Sequence, residues 1–323
     1  MKSKAAACLP FVWRWTKIAW LLACLVLLVA YGRRQWDEIA PLAADIHWFY
    51  LLPALALIVA GRIALSTAAR EICLWSGTSF RHSQMLKIYA VTQLAKYVPG
   101  GVWHFVARGI AYSEAKMKTR RIAQNIVVEN LILLGGAVCV GLVGMLPTSP
   151  GLAFVAPPIR FLTIGAALLI YPVAVYGAAA IIRRDVPARS RLAVVLFQLG
   201  AWLPIGAAFH FMIVALGISH VPPAYAAGTF TLCWAIAFVA VFVPGGIGLR
   251  EALLVYMLGP FMPASAAFTV AVLSRIVWTV AEAALLLVAL VWTAAERRVS
   301  HLPLAPVPCL TTIEESNPPN NGG

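Results

Sequence analysis

Three stretches of this chain, residues 161–182, 192–217 and 221–249, carry no Asp, Glu, Lys or Arg before their ends. Each is at least as long as the roughly 20 residues a helix needs to cross a bilayer. In hydrocarbon no water is present to satisfy a bare backbone, so such runs must close their own hydrogen bonds as helices. Composition extends the argument to the whole chain: 62% of the 323 residues are hydrophobic and 11% are charged. A soluble domain carries about 25% charged residues. The chain is therefore expected to be an all-α, polytopic integral membrane protein, with a mean hydropathy of +0.86.

The net charge of +13 does not imply a nucleic-acid partner, because the basic residues fall in short loops between apolar runs and build no solvated basic face. They follow the positive-inside rule. Putting the basic N-terminus in the cytoplasm, a first, uncleaved helix over 18–32 exits near Arg33 and Arg34, and a second over 46–69 returns to Arg70 and Arg81. Helices over 122–146, 161–182, 192–217 and 264–295 follow, with Arg183, Arg184, Arg189 and Arg191 marking a cytoplasmic loop. Arg297 and Arg298 put the end of the last helix inside as well. Residues 1–298 read as one transmembrane domain, and 299–323, ending SNPPNNGG, as a disordered cytoplasmic tail. The six cysteines lack metal spacing, no cofactor motif is present, and packing is their expected role.

Two segments break the pattern. KYVPGGVWHFVARG, residues 96–109, and FVPGGIGLRE, residues 242–251, share a Val-Pro-Gly-Gly core followed by an arginine. Proline removes a backbone donor and glycine lowers helix propensity, so each core should break a helix. Basic loops on both sides of 83–112 place both its ends in the cytoplasm, which predicts a re-entrant hairpin. An even number of crossings then requires 221–260 to dip in from outside. An offset of 145 residues superimposes the two motifs, giving repeat halves of about 46–146 and 192–295 in an inverted repeat. The expected architecture is about six spanning helices plus two re-entrant hairpins. The competing reading is eight full spans, with VPGG marking simple helix ends.

A backbone break inside a membrane is tolerated where protein or a water-filled cavity covers it. Pro99, Gly100, Gly101, Pro244, Gly245 and Gly246 should therefore line a cavity, and the half-helix after each break would point its positive end inward. Lys96, Arg108 and Arg250 add full charges, an arrangement suited to an anion. Glu129 and Glu282 lie in apolar surroundings, Arg121 and Arg275 precede them by eight and seven residues, and Glu251 adjoins Arg250. These carboxylates are expected either to balance charge or relay protons, or to form structural pairs with arginine. Arg62 and Arg160 are read as snorkelling near helix ends. His104 beside Trp103 is read first as interfacial.

AKYVPGGVWHFVARG and FVPGGIGLREALL, in this order and far apart, resemble the signature segments of the lysylphosphatidylglycerol synthase transmembrane-region family, a flippase-like domain of bacterial membrane proteins. The resemblance covers about residues 18–295. It implies a domain of the bacterial inner membrane that moves an anionic phospholipid or isoprenoid-phosphate lipid between leaflets. In larger members this domain precedes a soluble aminoacyltransferase domain. Here only a short tail follows Arg298, so the chain resembles the stand-alone members and lysyl-lipid synthesis is not expected of it. With no catalytic motif either, the expectation is a transporter and not an enzyme. The alternatives are an accessory subunit for a lipid-biosynthesis enzyme and a membrane-embedded lipid-modifying enzyme.

Overall fold

The computed structural model of the chain describes residues 26, 29–30, 32–97, 102–150, 156–183, 185–240 and 246–300, with the backbone alone at 97 and 297–300. All regular elements among them are helical. After α1 (Trp36–Ala44) come α2 (Leu51–Trp75), α3 (His82–Leu94), α4 (Trp103–Glu114) and α5 (Thr119–Met145). They are followed by α6 (Pro157–Ile182), α7 (Ala188–Ala215), α8 (Pro223–Val239), α9 (Leu249–Leu258) and α10 (Ala264–Ser300). Five of these, α2, α5, α6, α7 and α10, are long and apolar enough to cross a membrane. The chain is thus a helical, multi-pass membrane protein. The expected first helix over 18–32 lies almost wholly outside the described residues, as does the expected tail beyond residue 300.

The helices start where the sequence supplies starts. Pro157 and Pro158 open α6, and Pro223 opens α8, positions where the missing amide donor has no helical partner to lose. Pro172 and Pro204 lie inside α6 and α7, which long apolar helices accommodate when neighbours cover the freed carbonyls. The second expected helix runs further than 69. Arg70 donates from Nε to the Phe80 carbonyl at 2.8 Å and pairs with Glu71 at 3.0 Å, so α2 carries its charge to Trp75 without stopping.

The packing repeats. α2 lies along α7, α3 packs on α10 as α8 packs on α5, and α2 touches α10 as α7 touches α5. Within each series the two short helices touch one another, α3 with α4 and α8 with α9, and α4 and α9 rest on the long helices that follow them. The element boundaries carry the same period: 145 residues take Thr119 at the start of α5 onto Ala264 at the start of α10. α6 stands outside this exchange. It buries Tyr171, Val175, Ala179 and Ile182 along one stripe and exposes Leu162, Leu169 and Val173. A single inward stripe with apolar residues elsewhere is the pattern of a helix bathed in lipid.

Close crossings are made with small residues, since lipid tails already solvate leucine and only close fit favours helix association. Where α5 meets α8, a Cβ on Gly228 would lie 2.5 Å from the Met145 nitrogen and 2.7 Å from the Gly141 carbonyl. Aromatic groups fill the middle of the bundle. Trp202 of α7 is fully buried and donates its indole N–H to the Leu133 carbonyl of α5 at 3.1 Å, while Phe209 and Phe230 pack with ring centroids 4.9 Å apart.

Candidate functional site

Among the described residues, three polar clusters inside the bundle hold the charges singled out in the sequence. The first is built on α3, α4 and α5. Arg108 ion-pairs with Glu129 and donates to the Thr92 hydroxyl from Nη2 at 3.0 Å, with its guanidinium 4.6 Å from the centre of the Tyr89 ring. The Tyr112 hydroxyl donates to the second carboxylate oxygen of Glu129 at 3.1 Å. All five side chains are buried. Arg108 and Tyr112 can share this carboxylate because four residues place them on one face of α4.

The second cluster surrounds Trp278 of α10. Glu282, one turn further along the same face, accepts from Arg62 of α2, from Lys96 just after α3, and from the Trp278 indole N–H at 2.9 Å. Arg62 lies 4.4 Å from the centre of the Trp278 ring, Arg250 of α9 5.6 Å and Lys96 5.8 Å, all within cation–π reach. Arg250 also donates to Ser274 at 2.8 Å and lies 4.8 Å from the Phe230 ring. Ser274, Trp278 and Glu282, spaced four residues apart, therefore form a stripe down α10 that meets cations from three other parts of the chain. Tyr89 lies between the two clusters, within Coulombic reach of Arg62, Arg108, Glu129 and Glu282.

The third place is the turn into α9. Gly246 and Gly248 hold φ of +65° and +86°, left-handed values that glycine adopts without a Cβ penalty. Glu251 accepts from the Gly248 amide at 2.7 Å and pairs with Arg275, which also donates to the Gly246 carbonyl at 2.9 Å. This leaves Arg250 in the first turn of α9, where the helix dipole is already positive.

Among the expected site residues, the structure brings Lys96, Arg250 and Glu282 together, sets Arg108 with Glu129 in a neighbouring cluster, and joins Glu251, Arg275 and Gly246 at the α9 turn. Pro99, Gly100, Gly101, Pro244 and Gly245 lie outside the described residues.

No protein-family model matches this chain, and no curated protein matches it significantly. Its chemistry is read from its own residues.

Three sequence expectations are corrected by the geometry. Arg62 does not snorkel: it is 2% exposed in the middle of α2 and pairs across the bundle with Glu282. The helix was expected to end near residue 69, which would have put Arg62 within two turns of water. Glu129 does not pair with Arg121, nor Glu282 with Arg275. Seven or eight residues along a helix separate side chains by about 10–12 Å, well beyond the three- or four-residue contact distance. Arg121 instead donates to the Ile182 carbonyl at the end of α6. The sequence also gave no role to Trp278, Tyr89 or Thr92. The spacing of Ser274, Trp278 and Glu282 was the available signal for the first of these. His104 packs against Phe105 with its Nδ1 buried and without a hydrogen bond among the described residues.

Proposed function

We propose that the chain is a lipid flippase or flippase-like transporter of the bacterial inner membrane, akin to the stand-alone members of the lysylphosphatidylglycerol synthase transmembrane-region family. The observation that carries this reading is the convergence of Arg62, Lys96 and Arg250 on one indole beside the carboxylate of Glu282. Guanidinium forks and a helix N-terminus both favour phosphate. A lipid phosphate is thus the natural guest, and Glu282 is the group it would displace from Arg62 and Lys96. Glu129, with Arg108, balances charge next to this site.

The lengths of the short helices support re-entrant hairpins. α3, α4 and α9 have 13, 12 and 10 residues, about 15–20 Å each, against about 30 Å of hydrocarbon. The repeated packing of the two series supports an inverted arrangement, with the hairpins entering from opposite faces, six spanning helices and both termini in the cytoplasm.

Transport by purified full-length protein in liposomes containing fluorescent phosphatidylglycerol or an isoprenoid phosphate tests the reading. Wild type should move at least one of them between leaflets. Arg62→Ala and Arg250→Ala should slow it about tenfold or more, since a lost charge-assisted contact weakens binding by roughly 1.5–3 kcal/mol. If wild type moves neither lipid and Arg250→Ala behaves the same, the transport reading fails; co-purification of a stoichiometric enzyme would then favour the accessory-subunit alternative.

A further inference from the structure

Away from these clusters, the C-terminal end of α2, the start of α3 and the last turns of α10 enclose an open cleft of about 650 Å³. Its walls include Arg70, Arg81, His82, Trp292 and Glu296. Arg70 is held by Glu71 and the Phe80 carbonyl. Arg81 and Glu296 face the same cleft with opposite charges, and no ion pair joins them among the described residues. Glu296 is oriented instead by Ser83, whose hydroxyl donates to Oε2 at 2.5 Å. A cleft that holds a cation and an anion apart is complementary to a guest with the reverse pair.

The position of the cleft says what kind of guest. Trp292 and Glu296 lie 28 and 32 residues from the start of α10, about 42–48 Å along it, so a helix spanning about 30 Å of hydrocarbon has reached the headgroup layer there. Trp292 is 40% exposed, as expected of an interfacial tryptophan, and Val288, one turn before it on the same face, is also 40% exposed. Polar, two-signed walls thus stand above an exposed apolar residue on the same face of the helix.

We propose that this cleft binds an amine-bearing phospholipid headgroup of the phosphatidylethanolamine type, with the phosphate on Arg81, the ammonium on Glu296 and an acyl chain along Val288. The volume falls within the usual range for small-ligand pockets, about 300–1,000 Å³. A purely anionic headgroup would meet the Glu296 carboxylate, and a quaternary ammonium could not donate a hydrogen bond to it, so the site discriminates by chemistry at both ends. The proposal requires only that the protein span a membrane and does not depend on transport.

Tryptophan quenching by lipids brominated on their acyl chains tests it. Full-length protein and Trp292→Phe, whose difference isolates the Trp292 signal, are reconstituted in phosphatidylcholine vesicles doped with brominated phosphatidylethanolamine, phosphatidylglycerol or phosphatidylcholine. At equal mole fraction the brominated phosphatidylethanolamine should quench Trp292 at least about twofold more than the other two. Arg81→Ala should remove that preference, and Glu296→Gln, which keeps an acceptor for Ser83, should shift it towards phosphatidylglycerol. Both changes lie at the rim of the cleft, and an unchanged melting temperature verifies that the fold is kept. Equal quenching by all three lipids, or a native preference for phosphatidylglycerol, overturns the proposal.

Discussion

Glu129 and Glu282 each bring a carboxylate into an apolar bundle, Glu129 held by two donors on α4 and Glu282 by donors from separate elements. Removing one member of a buried pair strands the other, at a cost of about 3–5 kcal/mol, whereas replacing both by apolar groups of similar size is often neutral. Arg108→Ala should therefore lower the melting temperature of the detergent-solubilised protein sharply. The double change Arg108→Met with Glu129→Leu should recover most of the loss, and a double change no better than the single one would show that the pair does not act as a unit. Both glutamates stood out in the sequence because a charge at membrane depth needs a reason. Their pairing with Arg108 and Arg62 did not, because those arginines reach them across space, 21 and 220 residues away along the chain.

At the level of the helices, packing turns on where backbones come close. Gly228 sits against Met145 and Gly141 with no room for a side chain, so Gly228→Val should force α5 and α8 apart and destabilise the protein by about 1–3 kcal/mol or more. Gly165→Ala, on lipid-facing α6 with nothing within 4 Å of the added methyl, should leave the melting temperature unchanged. Equal effects of the two would mean that the crossing is not close-packed in the membrane. The long helices were legible in the sequence to within a few residues at most ends, since an uncharged run of 20 residues has one stable conformation in lipid. The second helix ran past its expected end because Arg70 and Glu71 neutralise each other on its surface, which a count of charges along the chain does not register.

Across the molecule, the pairing of α2–α5 with α7–α10 seats α3 and α8 each on the last long helix of the other series, and α4 and α9 on that of their own. If the two series are inverted in the membrane, Gly100→Cys and Gly245→Cys should react with a membrane-impermeant thiol reagent from opposite faces of oriented vesicles. Labelling of both from one face would leave the repeated packing in place and reject the inverted hairpins. An offset of 145 residues was visible in the two VPGG motifs, but few residues outside them match. Contacts repeat where sequences do not because packing depends on helix length, spacing and small residues more than on particular side chains.

By itself the sequence determined the solvent and therefore the secondary structure: a chain with 11% charged residues and uncharged runs of bilayer length must be helical and embedded in lipid. It also marked the carboxylates and the two breaks, because hydrocarbon makes each of them costly. Only the tertiary structure decided which charges meet. Arg62, Lys96, Arg250 and Glu282 come from separate parts of the chain, and their meeting around Trp278 depends on how four elements cross. Periodicity specifies a helix because its hydrogen bonds are local, whereas an ion pair between helices depends on rotation and depth, which the packing of the whole bundle sets.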